Sequence, residues 1–295
     1  MSPYQLITQN KRKTWLIMLL FVGLFTGFFY LVGKFFDSPG TYLFLGLLIS
    51  TASSIGSYFF ADKIVLMSLG AKPASKKNYF DFYTVTENLT IAAGLPMPKL
   101  YVIDDPAPNA FATGRDPQHA VVCATTGLLK MLDRSDIEGV VAHELSHIKN
   151  YDILLATIVS VLVGAISIIA DWLMRSLWWK EHSDNEERKN PLLAILFIIS
   201  LILVPIVATL IQLAISRKRE FLADASAVLL TRNPHGLADA LEKISHYQSS
   251  RFIPSSMSHL FIVNPLNSKN STNWLVNLFS THPPIEERIR ILRSM

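Results

Sequence analysis

Four long apolar runs, residues 14–32, 41–60, 153–173 and 191–216, alternate with two more polar regions, residues 61–151 and 217–295. Each run is near or above the ~20 residues an α-helix needs to cross a ~30 Å hydrocarbon core. The pattern predicts four transmembrane helices in two hairpins. The first run is long for a cleaved signal and lacks a convincing small-residue cleavage site, so it reads as a retained anchor. Within the first polar region, Lys99–Ile103, residues 109–112 and residues 120–124 read as short strands. Gly114, Arg115, Asp116 and Pro117 form the turn before the third. Apolar residues then recur at helical spacing at Ile137, Val140, Val141, Leu145 and Ile148, which predicts a helix over residues 136–150. Ser135 or Asp133 is placed to cap it. Residues 183–190 read as a charged, solvated linker. The chain thus divides into an N-terminal membrane hairpin (1–60), a polar region (61–152), a second hairpin (153–216) and a second polar region (217–295).

Composition strengthens the membrane reading. Half of the 295 residues are hydrophobic and only 17% are charged, against about 25% in soluble domains. The net charge of +4 suits an anionic membrane surface. No basic stripe interleaved with aromatics accompanies it, which argues against nucleic acid as a partner. Lys11, Arg12 and Lys13 precede the first run, while Lys63, Lys72, Lys76 and Lys77 follow the second. The positive-inside rule therefore places the N-terminus and the first polar region in the cytoplasm. Arg217, Lys218 and Arg219 after the fourth run agree with this. The connection between the third and fourth runs carries charges of both signs, and the third contains Asp171, an expensive residue in lipid that fits best at a helix end. Whether the second hairpin crosses fully therefore stays open. Cys123 is the single cysteine, so no intramolecular disulfide forms, and its apolar neighbours suit a buried thiol.

The predicted helix over residues 136–150 carries His143-Glu144-Leu145-Ser146-His147. Residues four apart on a helix lie one turn above one another on one face, so the two imidazoles can share a tetrahedral metal ion. Glu144 is rotated about 100° from His143, suited to a general base acting on water rather than to a third ligand. By itself the motif also fits a solvated helix face with two histidines. Its setting after the apolar stretch Gly139-Val140-Val141-Ala142 makes this a core helix, where unsatisfied polar groups are costly. Glu220 is the leading third ligand. His147 lies just before the third apolar run and Glu220 just after the fourth, so a hairpin between them returns Glu220 to the histidines. A di-iron carboxylate bundle would need a second Glu-x-x-His unit, which is absent: His246 follows Glu242 by four. A transporter built around Asp171 leaves the metal motif unexplained, and a catalytically silent metal scaffold leaves Glu144 without a purpose.

Further segments carry a family resemblance. Pro108–Gly114 reads PNAFATG, Ala142–Asn150 reads AHELSHIKN, Arg219–Asp224 reads REFLAD, and Ser280–Pro284 reads STHPP with Arg288 and Ile289 beyond. Together, in this order and with the four apolar runs, they resemble the HtpX group of the M48 metallopeptidase family. The resemblance implies an α+β fold, a mostly helical membrane protein with four apolar helices and a cytoplasmic, zincin-like protease domain containing a small sheet. It implies one Zn(2+) per subunit on His143, His147 and Glu220, with Glu144 catalytic. It also implies protein substrates, membrane proteins among them, and a quality-control role at the cell membrane. Asp224 is similar to an acid that pairs with an arginine at Arg288, and His282 to a histidine that steadies the oxyanion. Asn109, Ala110, Phe111 and Ala112 resemble a substrate-binding edge strand. Tyr151 departs from the pattern, standing where relatives often have arginine, but lies outside the ligand set.

Overall fold

A computed structural model describes residues 3–35, 37–181, 217–247, 260, 262 and 283–295. Two long helices, α1 (Pro3–Phe35) and α2 (Pro39–Ser68), form an antiparallel pair, with Pro39 at the first turn of α2 where its missing N–H costs nothing. The first polar region then gives β1 (Lys72–Pro73), α3 (Phe80–Ala93), β2 (Lys99–Ile103), β3 (Ala110–Thr113), β4 (Val121–Thr125) and α4 (Thr126–Met131). It ends in α5 (Arg134–Lys149), which meets α6 (Asp152–Glu181) at a sharp turn. The second polar region gives α7 (Arg217–Thr231), α8 (Pro234–Ser245) and α9 (Ile285–Arg293). The fold is mostly helical with one small mixed sheet.

The sheet runs β1-β2-β4-β3, with β2 and β4 parallel and the other pairs antiparallel. β4 is buried on both faces, and alternation divides its side chains. Val122 and Ala124 pack with α3, α5 and α8 through residues such as Val85, Val141 and Leu241. Val121 and Cys123 face the other way, against Val65 and Leu66 at the end of α2 and against Ala156 and Val161 of α6. The sheet thus lies between the polar-region helices and the ends of the apolar ones. Two of the expected strands sit one residue later than the pattern suggests, because the pairing of Ala110–Thr113 with Val121–Ala124 sets their limits.

The apolar runs divide by what covers them. Along α1 one stripe (Ile17, Met18, Phe21, Phe25) is buried against Leu155, Ile158, Val159 and Leu162 of α6, while Leu19, and Phe44 of α2, point outward. Among the described residues, two helices are long and apolar enough to cross a membrane, Gln5–Lys34 and Pro39–Ser68. These are the first two of the four expected. The third run forms a continuous helix, but residues 153–166 are largely buried within the protein, so core packing accounts for much of their hydrophobicity. The α5–α6 pair passes the same length and composition test only as one unit bent by 84°. The fourth run lies outside the described residues.

Sequence fixes α5 locally. Asp133 caps it and Asp136 returns the bond, each side chain accepting the other's backbone N–H at 3.0 and 3.2 Å. Lys243 of α8 reaches the buried Asp136 and ties the two helices at this end. Their backbones approach so closely that an added Cβ at Gly139 would lie 2.7 Å from Leu237 Cα, and one at Gly236 would lie 2.6 Å from the Ser135 carbonyl oxygen. Gly139→Ala is therefore expected to destabilise the chain by about 1–3 kcal/mol through overpacking, read as a lower thermal midpoint in detergent. Gly56→Ala, where a Cβ meets nothing within 4 Å, serves as the neutral control. An unchanged midpoint in Gly139→Ala would contradict this packing.

Candidate metal centre

The cap of α5 places His143 and His147 one turn apart, and both point toward α7. Their Nε2 atoms are 3.2 Å apart and their rings meet edge to face. Glu220, in the first turn of α7, brings Oε2 to 3.7 Å from His143 Nε2 and Oε1 to 3.6 Å from His147 Nε2. One ligand atom from each of the three lies within 4.8 Å of the others, and no second His/Cys/Asp/Glu group among the described residues meets that criterion. Two bonds of the length zinc makes to nitrogen, at a tetrahedral angle, put their donors about 3.3 Å apart. The donor set fits one such ion with small adjustments of Glu220.

Each imidazole is oriented from behind. Asp224, one turn along α7 from Glu220, contacts His143 Nδ1 at 2.9 Å. Asp152, the first residue of α6, contacts His147 Nδ1 at 3.0 Å. A carboxylate only accepts, so each Nδ1 donates to it, which leaves Nε2 as the ring atom available to a metal. Asp152 gets there through the turn at Asn150 and Tyr151, where Tyr151 adopts a left-handed φ of 59°. Arg288 of α9, only 1% exposed, donates to Asp224 through Nε at 2.9 Å and Nη2 at 2.6 Å. This forked pair is buried, and the same guanidinium lies 3.7 Å from Glu220 Oε2.

Buried carboxylates dominate the electrostatics. Glu144, Asp152, Glu220 and Asp224 are all buried, and Arg219 and Arg288 pair with three of them. Carboxylate charge held in so buried a site is costly unless cations compensate it. The titration behaviour follows. Burial lowers the proton affinity of His147, but the Asp152 hydrogen bond and the charges of Glu220, Asp152 and Glu144 outweigh it and push the pKa up to about 9. Burial would raise Asp224, but the Arg288 charge and the bond to His143 hold it down, at about 2. Burial pushes Glu144 up despite the nearby histidines, and the Ala112 backbone N–H reaches its carboxylate.

The structure therefore brings together His143, Glu144, His147, Glu220, Asp224 and Arg288. Ala110, Phe111 and Ala112 form β3, an edge strand beside α5, with Asn109 immediately before it. Phe111 points to the opposite sheet face from its alanine neighbours. The Ala110 carbonyl accepts the Ile262 N–H at 3.0 Å, so this chain itself occupies part of that edge. His282 lies outside the described residues. Sequence reasoning missed Asp152, although an acid five residues past His147, opening the next helix, is a signal for it. It also missed Asn10 and Arg219, for which no local pattern exists.

Comparison with known proteins follows the same lines. The model of Peptidase family M48 matches residues 80–295. A Protease HtpX homolog of Dictyoglomus turgidum is 46% identical over 294 residues, covering 99% of this chain and 94% of the relative. One from Lactobacillus acidophilus is 43% identical, covering 99% of each. The crystal structure of S. mikatae Ste24p is similar in fold, with TM-score 0.52 at 19% identity, over 98% of this chain and 67% of that one.

Asp224→Asn and Asp152→Asn preserve shape but lose the charge behind each histidine. Both are expected to weaken zinc binding by about 10–100-fold, measured by competition with a chromophoric chelator. Glu220→Ala is expected to lose stoichiometric metal; an unchanged zinc content there would remove Glu220 from the ligand set.

Proposed function

The chain belongs to peptidase family M48, and from that premise we propose that it is a zinc-dependent, membrane-bound endopeptidase that cleaves membrane proteins, misfolded ones included. The observation that carries this reading is the convergence of His143, His147 and Glu220 beside a buried Glu144. Bound zinc supplies Lewis acidity, acidifying water and polarising a peptide carbonyl.

The residues of the chain do the rest. Glu144 accepts the proton of the attacking water and passes it to the departing amine. Its burial suits this, because a carboxyl held above its ordinary range is closer to the working pH for both steps. Asp224 and Asp152 keep the imidazoles from rotating, and Arg288 holds Asp224 and faces Glu220. Asn109, Ala110, Phe111 and Ala112 receive an extended substrate by strand addition, which takes over the Ala110 carbonyl from Ile262. His282 donates to the developing oxyanion.

The membrane setting follows from α1 and α2, whose apolar length supports a spanning pair. The metal centre lies beside the N-terminal part of α1, where Asn10 touches Asp152 and Lys11, Arg12 and Lys13 follow. The positive-inside rule puts that end, and the active site with it, on the cytoplasmic face of the cell membrane. A site so close to the bilayer suits substrates that leave it, consistent with a role in membrane-protein quality control.

Glu144→Gln is expected to retain one zinc while proteolysis of a casein or membrane-protein substrate falls by at least about 10²–10⁴-fold. Wild-type activity in that variant would overturn the mechanism. His282→Ala is expected to lower kcat with little change in KM, the signature of a contact made in the transition state.

A further inference from the structure

Asn10 belongs to α1, yet it is only 2% exposed and lies against the turn that follows the histidine pair. Its Nδ2 donates to Asp152 Oδ1 at 2.7 Å and to the Asn150 carbonyl at 3.0 Å. Its Oδ1 accepts from Arg219 Nη1 at 3.2 Å, and the same nitrogen donates to Asp152 Oδ1 at 3.1 Å. Nitrogen and oxygen of an amide are hard to distinguish by shape, but here the partners decide. A carboxylate and a carbonyl only accept, and a guanidinium only donates, so a single orientation satisfies all of them. Asparagine is the residue that supplies this combination: aspartate has no donors, and leucine, similar in size, has no polar atoms.

The other oxygen of Asp152 holds His147 Nδ1. The chain of contacts therefore runs from a membrane helix through one carboxylate to a metal ligand. Two neighbouring features secure the same junction. Lys11 Nζ sits 4.2 Å from the centroid of the Tyr151 ring, at the left-handed residue of the turn. Arg219 comes immediately before Glu220, so its grip on Asp152 registers the start of α7 against the start of α6.

We propose that Asn10 is a positioning residue of the metal centre, holding Asp152 in the orientation that fixes His147, so that α1 is a component of the site as well as an anchor. This rests on the reading of His143, His147 and Glu220 as metal ligands. Moving α1 away from the α5–α6 turn releases Asp152 Oδ1 from Asn10 and loosens His147, which couples the placement of the membrane helix to metal affinity.

The test uses the full chain purified in detergent, with zinc affinity read by chelator competition and stability by thermal unfolding. Asn10→Leu is expected to weaken zinc binding about tenfold, at the lower end of what outer contacts of metal ligands contribute. Asn10→Asp, which keeps the volume but removes both donors, should lose at least as much and covers the case in which the leucine variant fails to fold. In an Asp152→Asn background, Asn10→Leu should add little, because the two act through one path. Ile17→Ala, a cavity farther along α1, should lower the thermal midpoint and leave affinity unchanged. Unaltered affinity in both Asn10 variants overturns the proposal, as does an equal loss in Ile17→Ala or full additivity with Asp152→Asn. A wild-type chain that binds no zinc overturns the metal-ligand reading and this proposal together.

Discussion

Two histidines share one small space because a carboxylate stands behind each of them. Asp224 accepts the Nδ1–H of His143, and Asp152 accepts that of His147. Both Nε2 atoms then face inward, 3.2 Å apart, with the Glu220 carboxylate opposite. Without those two bonds the imidazoles could rotate or swap tautomers, and the donor set would no longer converge. The remaining contacts in the region serve this constraint. Arg288 is buried whole to hold Asp224, and Arg219 with Asn10 holds Asp152. Ligands that converge only in the folded chain would couple metal binding to the stability of the fold.

The architecture explains how distant segments supply these groups. The sheet packs α5 on one face and the ends of α2 and α6 on the other, so the motif helix and the apolar helices share one framework. The 84° turn after α5 brings Asp152 back beside His147. β3 is tied to α6 through the hydroxyls of Thr113 and Thr157 at 2.9 Å, and β3 in turn lies against Glu144. A disturbance of α6 is thus felt at the base and at one ligand together.

Parts of this were legible in the sequence for definite reasons. His143 and His147 are four residues apart on a helix with a clear apolar period, and helical geometry alone puts them on one face. Glu220 could be placed because it stands just past an apolar run whose opposite number begins just past His147. Asp133 as a cap followed from its type and position, and the structure gives it the role over Ser135. What could not be read has equally definite causes. Asn10 meets Asp152 across 142 residues and Arg219 meets it across 67, and no local spacing encodes such pairs. Hydropathy offered the third apolar run as a possible span, whereas the burial of Leu155, Ile158 and Leu162 shows that residues 153–166 pack on protein. A run of apolar residues gives the amount of hydrophobic surface and is silent about whether lipid or protein covers it.

The central claim is that two imidazoles and one carboxylate hold a single zinc ion. X-ray absorption at the zinc edge of the full chain, purified without added chelator, tests it most directly. The account predicts one zinc per chain with a first shell of nitrogen and oxygen only, at about 2.0–2.2 Å, including two imidazoles. A sulfur scatterer in that shell, a single imidazole, or a chain that carries no zinc would contradict it.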